Sequence, residues 1–361
     1  MASTDSNAFL TLQDIVAAAR ERLAKNEWDY LVGGTETETT LRRNRLSIDS
    51  LAFRPRVLRS VSAVDCRSAL LGRATRLPVL LAPIGSLESF EAGGGATAAR
   101  GAAAFGIPLM LSSQCKPGLE ETARAGGDGF RVFQLYVRGD NAFEDDFVRR
   151  AIDAGYHAFC VTVDSAHYSR RERDIANRFV KPWREGAAGL NYQADYNWDN
   201  VRRFKDKHDI PLILKGIATA EDAAEAVGMG VEGIYVSNHG GRQLDHGRGS
   251  LDVLPEVVAA VSGKAEIIVD GGFARGTDIV KAIALGATAV GLGRMTGLAM
   301  AADGADGVVR MLELIEEEMT IALGLLGATS LADLRPSHVC PGVPVTIPHV
   351  LSAFPLLSEG Y

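Results

Sequence analysis

The chain has only four cysteines in 361 residues, Cys66, Cys115, Cys160 and Cys340, and no two of them form a Cys-x-x-Cys pair. A zinc ribbon and a disulfide framework are therefore excluded, and reduced, mostly buried thiols are expected. Positive charge is also in short supply: 38 Lys and Arg against 45 Asp and Glu leave a net charge of −7. That balance argues against nucleic acid or a membrane surface as the main partner. No apolar run reaches the ~18 residues that a membrane helix needs. The N-terminus, MASTDSNAFLTLQDIVAAARERL, lacks the basic stretch followed by apolar residues of a secretory signal. A cytoplasmic protein is expected. No His/Cys/Asp cluster has metal-ligand spacing, so no metal is expected either.

What the sequence does have is one dominant rhythm. Apolar residues make up 47%, enough for a large core. They gather in eight short runs: 77–85, 108–113, 130–137, 158–164, 211–216, 233–238, 266–272 and 289–294. Each run stops at polar or glycine residues, and Ala-rich amphipathic stretches such as GGATAARGAAAFG and TAEDAAEAVGMG lie between them. Continuous rather than alternating apolar character means that both faces of each strand are covered, as in a parallel sheet. Eight such units predict an α/β protein with a (β/α)₈ TIM barrel. A doubly wound open sheet would place G-x-G-x-x-G after the first strand, and LAPIGSLESFEAGGG does not match it.

A length of 361 residues alone would suit two domains, but a closed barrel of this size is commonly one. Residues 1–76 read as one or two helices capping the barrel, which occupies 77–334. Residues 181–198, KPWREGAAGLNYQADYNW, show no clear periodicity and read as a short lid loop. Arg184, Glu185 and Asp195 make that lid polar, which suits a soluble protein. The Pro-rich stretch 335–361 reads as an extended arm lying on the surface or on a neighbouring subunit.

In such barrels the chemistry sits at the C-terminal ends of the strands, whose loops share one mouth. The strand-end residues here are Ser112, Gln134, Tyr136, Thr162, Asp164, Lys215, Ser237, His239, Asp270 and Arg294. Exposure explains serine and threonine at such ends. It explains poorly a cation, an imidazole and carboxylates converging on one opening. The last two strands end DGGFARGTD and GLGRMTG, where glycine-rich backbone and a helix start offer N–H donors to a phosphate. Arg294 would add a charge-assisted fork. In VSNHGGRQLD, His239 and Arg242 follow a buried strand and stand opposite Asp164 and Lys215. His239 is thus a candidate general base whose imidazolium a carboxylate stabilises.

Several motifs in order carry a resemblance: WDYLVGGTETETTLRRNR, FRPRVL, FQLY, TVD, RRERDIANRF, LKG, SNHGGRQLD and DGG. From about Leu12 to His338 the chain resembles the FMN-dependent α-hydroxy acid oxidases and dehydrogenases, the family of glycolate oxidase, lactate oxidase and mandelate dehydrogenase. The resemblance implies FMN as cofactor, oxidation of an (S)-2-hydroxy acid to the 2-oxo acid, and a homo-oligomer, a homotetramer in relatives. It implies His239 as the base, Asp164 as its partner, and Arg171 and Arg242 as the clamp on the substrate carboxylate. Tyr30 and Tyr136 would be substrate-facing phenols, and Lys215 would stabilise the reduced flavin. Ser112, Gln134 and Thr162 would hydrogen-bond the flavin ring. Asp270, Gly271, Gly272, Gly293 and Arg294 would hold ribityl and phosphate, and Pro83, Ile84, Gly85 and Ser237 complete the cofactor-binding set.

Four departures from the family pattern qualify that mapping. DGGFARG places Ala274 where the family commonly has an arginine, so phosphate affinity is reduced or Arg275 substitutes. APIGSLESFEAGG places Gly85 where many oxidases carry Ala, which makes oxygen a less efficient electron acceptor than some other species. Gln114 stands where glycolate oxidases carry an aromatic residue. The lid is short, which would admit a bulky or carrier-bound acid. Oxidative decarboxylation of the same substrates, a monooxygenase outcome, is the alternative reaction.

Overall fold

The computed structural model describes residues 9–184 and 188–359. Eight parallel strands close into a barrel, and we number them in chain order: β1 (Val79–Leu81), β2 (Leu109–Ser112), β3 (Arg131–Leu135), β4 (Ala158–Thr162), β5 (Leu212–Ile217), β6 (Gly233–Val236), β7 (Glu266–Val269) and β8 (Ala289–Leu292). Each pairs with the next, and β8 returns to β1 through Val290 opposite Val79 and Leu292 opposite Leu81. Seven of the eight predicted apolar runs contain one strand, shorter than the run because its ends turn into loops, and the run 211–216 overlaps β5, which continues to Ile217.

The strands are apolar on both faces because both faces are buried. One set of side chains, including Leu80, Met110, Val132, Cys160, Ile213, Tyr235 and Ile268, fills the barrel interior. A hairpin of Ser68–Leu70 and Arg73–Thr75 packs Leu70 against this cluster, and the Leu71 N–H donates to Glu266. Inside the barrel the Tyr235 ring leaves so little room that a Cβ on Gly291 would stand 1.8 Å from its hydroxyl. Glycine is the residue that fits there. The opposite faces pack on the surrounding helices. The longest helix, Arg294–Leu326, is broken at Asp303 and Gly304.

The N-terminal part is richer than one or two helices. Among the described residues it holds three, Leu12–Arg22, Lys25–Val32 and Thr39–Asp49, followed by a strand, Leu51–Phe53. The first starts at a capping box between Thr11 and Asp14. The third is tied to the barrel by buried Arg45, which pairs with Asp278 at 2.8 Å and with Asp49 on its own helix.

Two other expectations need correction. The lid is not structureless: it has a 3₁₀ turn, Pro182–Arg184, and a helix, Leu190–Asp195, while its last residue, Trp198, opens the helix Trp198–Lys207. Residues 185–187 lie outside the described residues. Gln193 anchors the lid helix to the barrel, accepting from the Val137 N–H at 2.8 Å and donating to the Thr162 carbonyl at 2.9 Å. The C-terminal arm is only partly a surface arm. Val339–Pro341 pairs antiparallel with Leu51–Phe53, and Phe354 is buried. Between them Val343, Val345 and Ile347 are exposed.

Candidate functional site

The strand ends surround a cavity of about 450 Å³. His239 enters it from the loop after β6, where His239, Gly240 and Gly241 take φ values of +60°, +65° and +75°. Only glycine suits the last of these, because a Cβ on Gly241 would come within 2.5 Å of the Leu41 backbone. A histidine at positive φ is uncommon outside sites where a constraint repays the strain.

The imidazole lies between two partners. Nδ1 is 2.9 Å from Asp164 Oδ1, and Nε2 is 3.0 Å from the Tyr136 hydroxyl. An ionised carboxylate only accepts, so Nδ1 carries the proton and Nε2 accepts from Tyr136. Burial pulls the His239 pKa below its usual 6.5, Asp164 opposes that, and Lys215 and Arg171 add to it. The ring is therefore neutral and basic at Nε2. Burial alone would raise the Asp164 pKa, but His239 and Lys215 overcome it and hold the carboxyl ionised. Burial pushes Tyr30 up to about 12 and Tyr136 higher still, so both phenols stay protonated donors.

Lys215, on β5, donates to Ser237 at 3.1 Å and stands 3.7 Å from Asp270, to which Ser237 also donates at 2.5 Å. Burial lowers the Lys215 pKa, but Asp270 and Asp164 raise it further, so the ammonium stays charged. Beside it in the sheet, Thr162 is level with Lys215 and Ser112 with Gln134. Both amide atoms of Gln134 and the Thr162 hydroxyl are buried without a hydrogen-bond partner among the described residues.

Arg171, Arg242 and Arg294 all reach the cavity wall. Arg242 donates to the carbonyls of Tyr30 and Gly33, and Arg294 to those of Val32 and Gly33. Burial, with Arg242 nearby, pushes the Arg294 pKa down to about 9. Such a cation calls for an anion. Tyr30 donates to the Gly85 carbonyl at 2.8 Å.

Of the sequence-predicted residues, Tyr30, Pro83, Ile84, Gly85, Tyr136, Arg171, Lys215, His239, Arg242, Asp270, Gly271, Gly272, Gly293 and Arg294 line this one cavity, as does Gln114. Ser112, Gln134, Thr162 and Ser237 do not reach its wall and are buried behind it. Asp164 acts through His239. Arg275 is not on the wall that Ala274 lines: its guanidinium pairs with Glu318 and lies 6.0 Å from the centroid of the Phe354 ring. Sequence reasoning missed Tyr168, Arg45, Leu190, Asn191 and the C-terminal Val350, Leu351 and Phe354, all on the wall. Tyr168 had a signal in its place between Asp164 and Arg171, and Leu190 and Asn191 had one in the stretch read as a lid.

The donor set fits FMN. Lys215, on the wall, suits a flavin's reduced anion, and the Gln134 and Thr162 atoms just behind it are buried polar groups that still call for a hydrogen-bonding partner. Gly271 and Gly272, at φ +104° and +86°, with Gly293 and Arg294, offer backbone and a guanidinium to a phosphate.

Comparison with known proteins agrees with this chemistry. Residues 19–341 match the FMN-dependent dehydrogenase family, and the chain belongs to it. Glycolate oxidase 1 of Oryza sativa subsp. indica is 39% identical over 345 residues, covering 90% of this chain and 93% of the relative. The 4-hydroxymandelate oxidase of Amycolatopsis orientalis is 39% identical over 356 residues, covering 93% and 99%. Among solved structures, mandelate oxidase with 3,3-difluoro-2-hydroxy-3-phenylpropionic acid superposes with a TM-score of 0.87 at 41% identity, covering 93% of this chain and 100% of the other. A mandelate oxidase variant with the C4a-OH-FMN adduct gives a TM-score of 0.85 at 41% identity, covering 91% and 99%. FMN is the cofactor of this fold and site.

Proposed function

We propose that the chain oxidises a 2-hydroxy acid to the 2-oxo acid, with His239 as the base and Arg171 and Arg242 as the carboxylate clamp. The observation that carries this is the Asp164–His239 pair at 2.9 Å, whose imidazole lies on the cavity wall that also holds both guanidiniums. Bound FMN supplies the two-electron acceptor. The substrate carboxylate engages the two arginines, for which a planar fork suits better than an ammonium. Its hydroxy carbon is then held near His239, where Nε2 exchanges its hydrogen bond from Tyr136 for a substrate proton. The proton makes an imidazolium, which the Asp164 carboxylate stabilises across the existing hydrogen bond. Both phenols are neutral: Tyr136, freed by that exchange, donates to a substrate oxygen, as does Tyr30 once the substrate displaces the Gly85 carbonyl as its acceptor.

Anaerobic addition of a 2-hydroxy acid is expected to bleach the flavin. If no small, aromatic or long-chain 2-hydroxy acid of either hand does so, the reading fails. The short lid is the basis for proposing a side chain larger than those of two- or three-carbon acids; rapid turnover of only such small acids would count against it. Gly85 is the basis for proposing a quinone-like or dye-like acceptor over oxygen, and parallel reoxidation by both decides the matter. A cytoplasmic homotetramer belongs to the same reading. Cell fractionation and light scattering test it, and a monomer would refute the assembly.

A further inference from the structure

The reaction leaves one group near the arginines unexplained. Lys181 is 2% exposed, and a lysine is rarely so buried unless it is paired. Its ammonium forms an ion pair with buried Asp174 and donates to the Tyr168 hydroxyl at 2.7 Å. It also lies 5.2 Å from the centroid of the Tyr168 ring and 5.5 Å from that of Tyr30. The arginines face the same two rings. The guanidinium carbon of Arg171 is 4.9 Å from the Tyr168 centroid, and that of Arg242 is 5.0 Å from the Tyr30 centroid. One ammonium behind the cavity wall thus contacts two phenol rings, and each ring contacts one arm of the clamp.

Arg171 depends on this arrangement. Among the described residues its hydrogen bonds, from Nε to Ser169 Oγ and to the Arg242 carbonyl, are both long, at 3.4 Å. The Tyr168 ring is then a main restraint on the plane of the guanidinium, through a cation–π contact in a desolvated place. We propose that Lys181, fixed by Asp174, is a positioning residue for substrate binding: through the rings of Tyr168 and Tyr30 it sets the separation and tilt of Arg171 and Arg242. The inference rests on the clamp role given to those arginines above. Burial alone would raise the Tyr168 pKa, yet Arg171, Lys181 and Arg242 bring it below the usual phenol value, as their closeness requires.

The test is equilibrium binding of phenylglyoxylate and pyruvate to FMN-loaded protein, read from flavin absorbance. Three variants are compared with wild type: Tyr168→Leu, Tyr168→Phe and the double change Asp174→Asn with Lys181→Met. The double change removes both charges together, so no lone buried carboxylate remains. Tyr168→Leu and the double variant are expected to weaken both oxo acids about tenfold, or about 1.4 kcal/mol. KM for the hydroxy acid should rise by the same factor, with kcat and FMN content nearly kept. Tyr168→Phe keeps the ring and should fall between them and wild type. Oxo acid affinities unchanged within about twofold in either Tyr168→Leu or the double variant would overturn the proposal. So would a fall in kcat at constant KM. Should the double variant fail to fold, the two Tyr168 variants decide. Failure of the oxidation reading appears separately, as a wild-type flavin that no 2-hydroxy acid bleaches while oxo acids still bind.

Discussion

Replacing Asp164 by Asn removes one negative charge and leaves an amide of the same shape beside His239. Two effects follow, on different axes. In the free enzyme burial already holds the His239 pKa below 6.5, and Asp164 is the group that opposes that shift. Without its charge the imidazole binds a proton less readily. The acid limb of kcat/KM reports loss of the neutral base as pH falls through this pKa, so the limb moves to lower pH. The rate falls at the same time, because the imidazolium formed on proton abstraction has lost the counter-charge 2.9 Å away. Removing one side of a buried ion pair costs about 3–5 kcal/mol. The amide oxygen can still accept from Nδ1, which places the loss toward the lower bound, about 10²-fold to 10³-fold at about 1.36 kcal/mol per decade. Anaerobic stopped-flow reduction of the flavin across a pH series measures both quantities. Reduction within about tenfold of wild type, or an acid limb that moves upward, would refute the reasoning.

Three further perturbations test other parts of the site. His239→Ala should keep bound FMN, since His239 is not in the flavin-holding set, yet show no bleaching by a 2-hydroxy acid; a bleached variant would remove His239 from its role. Gly241→Ala meets both a left-handed φ of +75° and the Leu41 backbone at 2.5 Å. It should destabilise the chain by about 2 kcal/mol or more in a denaturant titration, and an unchanged midpoint would contradict the described loop. Phe354 is 3% exposed on the cavity wall. Phe354→Ala should cost about 3–5 kcal/mol and speed FMN release, followed by the rise in free flavin fluorescence; equal release rates would show that the C-terminal segment does not close the cavity.

The barrel was legible because parallel strands covered on both faces read as unbroken apolar runs, and the strand-end rule then gathered His239, Lys215, Asp270 and Arg294 without any knowledge of distances. The lid helix was not legible, since LNYQAD has no apolar face; what fixes it is Gln193, bonded to Val137 and Thr162 on two strand ends. Arg275 looked available for a phosphate because its partner, Glu318, lies on a helix 43 positions further along. Lys181 looked like an ordinary loop lysine before a proline, and its burial depends on Asp174, Tyr168 and Tyr30 meeting around it. In each case the deciding partner is remote in sequence or acts through a polar contact that periodicity does not register.

The wall of the cavity runs from Tyr30 to Phe354, nearly the span of the chain. A nascent chain still held by the ribosome can fold several βα units, but it lacks the segment that completes this wall until Phe354 has been made. Cofactor loading accordingly waits for the segment around Phe354, and cells starved of riboflavin should accumulate a colourless apoprotein that includes this segment rather than stalled fragments.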